Sequence, residues 1–253
     1  MRVIRDVAYV KNRKRAASLT SLLGVALLGG AFWLSLSSGQ NASAVLLAYL
    51  PLLAGTVVFH LGMQQVAQWN RSPRNDTLLD TLLKGLGEKY VLVHFVPAGK
   101  RIVQHVLVHP GGLLALTVRE LDGTVTHKDG RWKRARSGLG RMFGLGGPQL
   151  GNPTYDAEAD VKALQVLLAD HSLDIEADAA IAFVNPQVQL DIEEPDFPVV
   201  NGDGLDPFVR SLPADPSFSP AIRQAVVALL AQGNEAEATK PVAPRRPVKR
   251  RAA

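Results

Sequence analysis

Long apolar runs broken by short polar patches dominate the first quarter of the chain. From Ala16 to Asn70 no Asp, Glu, Lys or Arg occurs, and His60 is the one histidine in that stretch. The run divides at Ser37-Ser38-Gly39-Gln40-Asn41, a polar, turn-forming patch. Each half, residues 17–36 and 44–64, has the roughly 20 apolar residues that one membrane crossing needs. Backbone groups inside lipid must pair within their own segment, so both halves are expected to be helices joined as a hairpin. A cleaved signal peptide is the rival reading of the first half. It fits less well because the apolar run is long and a second follows at once.

Beyond the hairpin the periodicity changes. Residues 75–86, NDTLLDTLLKGL, place leucines at helical spacing. Residues 90–96, 102–108, 113–119 and 124–128 read as four short strands of a meander, with turns at Pro97-Ala98-Gly99-Lys100, Pro110-Gly111-Gly112 and Leu121-Asp122-Gly123. Residues 131–147 are glycine-rich and basic and read as a mobile loop. Asn152-Pro153 opens a helix over residues 154–173, with acids in its first turns. The apolar stretch 179–185 reads as a central strand, 188–192 as an edge strand, and 205–212 and 219–232 as closing helices. The pattern divides the chain into a basic N-terminal segment (1–16), the hairpin (17–66), a soluble domain (72–232) and a polar, Pro-rich, basic tail (233–253) expected to be disordered.

Charge orients the hairpin. Arg2, Arg5, Lys11, Arg13, Lys14 and Arg15 precede it, Arg71, Arg74 and Lys84 follow it, and the connection carries no basic residue. The positive-inside rule then puts both ends of the chain in the cytoplasm, on a two-pass protein of the inner membrane. Trp33, Tyr49 and Trp69 are candidates for the interfacial aromatic belt. Gly24, Ala26, Gly29 and Gly30 in one span and Ala48, Ala54 and Gly55 in the other would let the helices approach closely.

The net charge of +5 arises at the two ends; the stretch between them carries more acids than bases. Basic segments beside a bilayer point to anionic lipid headgroups. The loop residues Lys133, Arg134, Arg136 and Arg141 and the tail residues Arg245, Arg246, Lys249, Arg250 and Arg251 are the candidates for lipid or nucleic-acid contact. The tail has no aromatic residue for base stacking, so binding to nucleic acid there would be electrostatic and salt-sensitive. No cysteine is present, which excludes disulfides, thiolate catalysis and a cysteine zinc site.

Five pieces of sequence, taken in order, carry a family resemblance: GLGEKYVLVHFVP, QHVLVHPGGLLALTVRELDGTV, Trp132, Asn152-Pro153 and AIAFVNP. Across residues 72–212 this resembles the nuclease-related domain family, NERD. The resemblance implies an α+β domain with a mixed sheet, restriction-endonuclease-like, here preceded by two transmembrane helices. In that family an acid on the second strand and a Glu-x-Lys on the third bind Mg²⁺ and activate water. The matching positions here are Gln104 and Thr117-Val118-Arg119, with Asp76 matching an acid of the first helix. Two of these are uncharged, and arginine cannot relay a proton. The resemblance therefore implies a catalytically degenerate module that binds or scaffolds at the membrane face, with no metal site and no cofactor. The alternative is a Mg²⁺-dependent nuclease acting on DNA from a relocated site built on Asp76, Glu120 and Asp122. A third reading is a purely structural membrane protein.

Overall fold

The computed structural model describes residues 1–37, 39, 42–70, 72–135, 149–232, 234 and 236–237. It is a mixed α/β fold carrying two long apolar helices near its start.

The chain enters its sheet before it enters the hairpin. β1 (Arg2–Arg5) runs parallel to β2 (Val91–Ala98), with Arg2 beside Val91 and Arg5 beside His94. Residues 1–16, expected as a separate basic segment, are thus part strand and part helix. Val3 and Ile4 are both buried. Two adjacent apolar residues between arginines show no period, so nothing in the sequence separated this strand from a tail.

Asp6 then caps α1 (Val7–Ser37), its carboxylate accepting from the Tyr9 amide at 2.7 Å. The helix therefore begins well below the apolar run and carries the basic segment with it. It returns as α2 (Ala42–Trp69). Both helices are long and apolar enough to cross a membrane. Their contact is a seam of small residues at heptad spacing: Ala17, Gly24 and Ala31 on α1 and Ala48, Gly55 and Gly62 on α2 are buried. A Cβ on Gly24 would lie 2.5 Å from the Phe59 Cα, and one on Gly62 2.5 Å from the Ser21 amide nitrogen. Gly29 and Gly30 meet nothing within 4 Å and lie off the seam.

α3 (Asn75–Leu82) leads to the meander β2, β3 (Arg101–His109) and β4 (Gly112–Arg119), antiparallel throughout. The fourth expected strand does not extend this meander. β5 (Gly123–Lys128) turns away to form a three-stranded sheet with β6 (Arg131–Ala135) and β8 (Val188–Ile192). The first residues of the expected loop are thus strand β6. The main sheet continues through α4 (Pro153–Asp170) to β7 (Ala177–Phe183), parallel to β4, and to β9 (Val199–Asn201), parallel to β7. Helices α5 (Gly202–Ser211) and α6 (Pro220–Ala231) follow. A last pair of residues, β10 (Ala236–Glu237), lies antiparallel to β1 within the segment expected to be disordered.

Both faces of the main sheet are covered, which is why its strands read as continuous apolar runs. Val93, Val106, Val108, Ala115, Ile181 and Phe183 face Leu164 and Leu168 of α4 and Val226 and Leu230 of α6. Leu92, Leu107, Leu114, Leu116 and Ala180 face Leu79 of α3 and Leu205 and Val209 of α5. Alternation breaks once. Phe95 has a φ of 63°, so Val93 and Val96 both join the α4–α6 core while Phe95 turns to the hairpin. Its ring lies 5.4 Å from Tyr9 of α1 and 5.6 Å from Trp69 of α2. An aromatic residue in the left-handed region is disfavoured by about 1–2 kcal/mol, offset here by seating the roots of both helices on the sheet.

Candidate functional site

A buried chain of charged and polar groups lies where the hairpin meets the sheet. Asp76, in the first turn of α3, is 2% exposed. Arg74 donates to it twice, Nε to Oδ1 at 2.9 Å and Nη2 to Oδ2 at 2.5 Å. Arg5 of β1 adds its Nε, 2.9 Å from Oδ2. Burial pushes this carboxyl up, but the Arg74 hydrogen bonds and the charges of Arg5 and Arg74 together hold it well below the usual carboxylate range.

One turn further along α3, Asp80 takes the other end of Arg5. Its Oδ1 also lies 2.9 Å from His94 Nε2, and His94 Nδ1 lies 2.8 Å from His105 Nδ1. The imidazoles meet edge to face, centroids 5.0 Å apart. One proton must lie between the two Nδ1 atoms. With His94 donating Nε2–H to Asp80, His105 donates Nδ1–H to His94, and His105 Nε2 is left buried without a hydrogen-bond partner. Burial lowers the His105 pKa well below the usual range, which keeps that imidazole neutral. The Asp–His–His chain thus ends at a buried nitrogen without a hydrogen-bond partner. It joins α3, β2 and β3 and, through Arg5, binds β1 to them.

The four positions taken from the family motif do not assemble. Asp76 lies on the α3 side of the sheet. Gln104 is exposed on β3, beyond the last β3–β4 pair, Val106 with Ala115. Thr117 is buried, and its hydroxyl has no hydrogen-bond partner. Arg119 lies on the α4 side, where it donates Nε to the Leu150 carbonyl at 2.9 Å and pairs with the Asp156 carboxylate. Arg101 pairs with the same helix, 2.5 Å from Asp160 and 3.5 Å from Asp156. Burial, partly countered by Arg101, raises the Asp160 pKa. This donor set does not fit a Mg²⁺ ion. Asp76 gives both oxygens to guanidinium groups, Gln104 and Thr117 carry no charge, and Arg119 is a cation. Of the alternative acids, Glu120 is buried just after β4 and Asp122 holds Arg134.

Of the candidate contact residues, Lys133 and Arg134 lie on β6. Lys133 borders an open recess with Thr126, Lys128 and Arg131. Lys128 there is held by Glu193 at 2.6 Å and Asp191 at 3.6 Å. Arg136, Arg141, Arg245, Arg246, Lys249, Arg250 and Arg251 lie outside the described residues. Trp132 and Asn152-Pro153, far apart in sequence, meet in space. The indole donates to Thr154 Oγ1 at 2.9 Å, and Asn152 caps α4 by accepting from the Tyr155 amide at 3.2 Å.

Sequence reasoning missed Arg5, Asp80 and His94. A signal for two of them existed: Asp76 and Asp80 stand four apart and so share a helix face, and His94 interrupts an aliphatic strand. Comparisons with family models, curated proteins and solved structures gave no match.

Proposed function

We propose that this chain is a membrane-anchored, NERD-like module, catalytically degenerate, that binds or scaffolds at the cytoplasmic face of the inner membrane. Its carrying observation is the fate of Asp76. The acid that would serve a metal is gripped by Arg74 and by Arg5, the latter from the strand that precedes the hairpin. The carboxylate works as a structural tie between the membrane anchor and the sheet. The side of the membrane rests on Arg5, Lys11, Lys14, Arg15 and Arg74 at the hairpin root, set against a connection without charge.

The test is plasmid cleavage by the full chain in lipid nanodiscs with Mg²⁺ or Mn²⁺. No cleavage above a protein-free control is expected. Metal-dependent cleavage that disappears in Asp76→Asn would overturn the degenerate reading in favour of a nuclease with a rebuilt site.

A further inference from the structure

At the root of the hairpin, α1, β1 and the start of α3 enclose an open recess of about 450 Å³. Val7, Val10, Lys11, Lys14 and Arg15 of α1 line one side, spaced so that they share a single helix face. Arg5 and Arg74 line the other. We propose that this recess is a binding site for the phosphodiester headgroup of an anionic lipid.

Position, charge and shape each carry the inference. At 1.5 Å per residue, Lys11 to Arg15 span the last ~6 Å of helix before the charge-free run begins at Ala16. They therefore stand at headgroup depth when the hairpin spans a bilayer, and to that extent the site rests on the membrane reading. Arg5 and Arg74 are held by Asp76 and Asp80, while Lys11, Lys14 and Arg15 have no acidic partner among the described residues. The recess keeps a positive surplus, and its two fixed guanidinium groups need no ordering on binding. Val7 and Val10 give it an apolar wall suited to a glycerol backbone rather than to a hydrated free ion. No aromatic side chain lines it, so it offers no stacking surface for a nucleic-acid base.

The full chain would be reconstituted into phosphatidylcholine nanodiscs doped with phosphatidylglycerol, and the lipids retained on gentle detergent release counted by native mass spectrometry. The triple variant Lys11→Gln/Lys14→Gln/Arg15→Gln would be compared with Lys89→Gln/Lys100→Gln/Lys162→Gln, which removes the same charge from exposed positions elsewhere on the surface. The wild type and the second triple should retain phosphatidylglycerol in preference to phosphatidylcholine. In the first triple that preference should fall about tenfold or more. Equal effects of the two triples, or none, would overturn the site. So would displacement of the lipid by millimolar inorganic phosphate, which would reassign the recess to a soluble anion. Vesicle flotation separates the two levels of failure. A chain that does not float refutes the membrane reading itself, whereas a chain that floats without preference refutes only the headgroup site.

Discussion

The hairpin and the sheet bury opposite kinds of residue. Along α1 and α2 the seam is glycine and alanine, while Leu19, Phe32, Leu46 and Leu53 stand outward, each at least 65% exposed. In the sheet, Leu92, Leu107 and Val106 are fully buried, and the charges stand outside or are paired. Where the surroundings are hydrocarbon, no hydrophobic gain comes from bringing leucines together, so close backbone packing decides what faces inward. Where the surroundings are water, burial of aliphatic area is the main driving force. Both burial patterns occur in one chain, and the Arg5–Asp76–Asp80–His94 network lies where they meet.

The largest disruption is expected inside the seam. Gly24→Leu or Gly62→Leu forces atoms against backbone already 2.5 Å from an added Cβ, so α1 and α2 must separate. Spin labels placed by cysteine substitution at Leu22 and Leu61 should move apart in either variant. Gly29→Leu, with nothing within 4 Å, should leave their distance unchanged. Equal behaviour of the three would mean that the helices do not pack through this seam.

Truncating leucines draws the same contrast in energy. Leu107→Ala should cost the domain about 2–5 kcal/mol, measured by denaturant titration of the chain in micelles. Leu19→Ala, which faces outward, should leave the same midpoint in place.

Arg5→Met tests the junction. Asp76 keeps Arg74, but Asp80 loses its guanidinium partner and β1 its ionic tie to α3. A loss of about 3 kcal/mol is expected, read as a lowered melting temperature together with faster hydrogen exchange in β1.

The smallest effect is in pH dependence. The His105 pKa is lowered from an ordinary 6.5, so the unfolded chain takes up a proton near neutrality that the fold refuses. Stability must fall as pH drops through that value, by at most about 1.4 kcal/mol per pH unit. His109, shifted the same way by burial, adds to the slope. As pH falls toward the ordinary carboxylate value of 3.8, Asp160, shifted upward, offsets part of this loss, and below that value Asp76, shifted downward, continues it. His105→Gln should flatten the stability profile between neutral pH and mild acid; an unchanged slope would show that His105 does not carry this dependence.

The hairpin was legible in the sequence because absence of charge over so long a run has few causes. The meander strands, α4 with its Asn-Pro start, and β7 were legible too. β1 was not, because its four residues carry no period and its partner lies far along the chain. Nor was the departure of β5 into a second sheet, since the turn before it looks like those within the meander and only the distant partner β8 distinguishes it. Asp76 was visible as a candidate because of the family resemblance, but its role depends on Arg5. No local pattern pairs a residue before the hairpin with one after it.

The membrane reading has the chain leave the sheet, cross the bilayer twice and return. With no native cysteine, single-cysteine variants test this directly. Gly39→Cys in the hairpin connection and Asp129→Cys in the β5–β6 turn would be labelled with a membrane-impermeant maleimide in sealed vesicles of each orientation. The two sites should label in opposite vesicle populations, Asp129→Cys from the cytoplasmic face. Labelling of both from the same face would contradict a hairpin that spans the membrane.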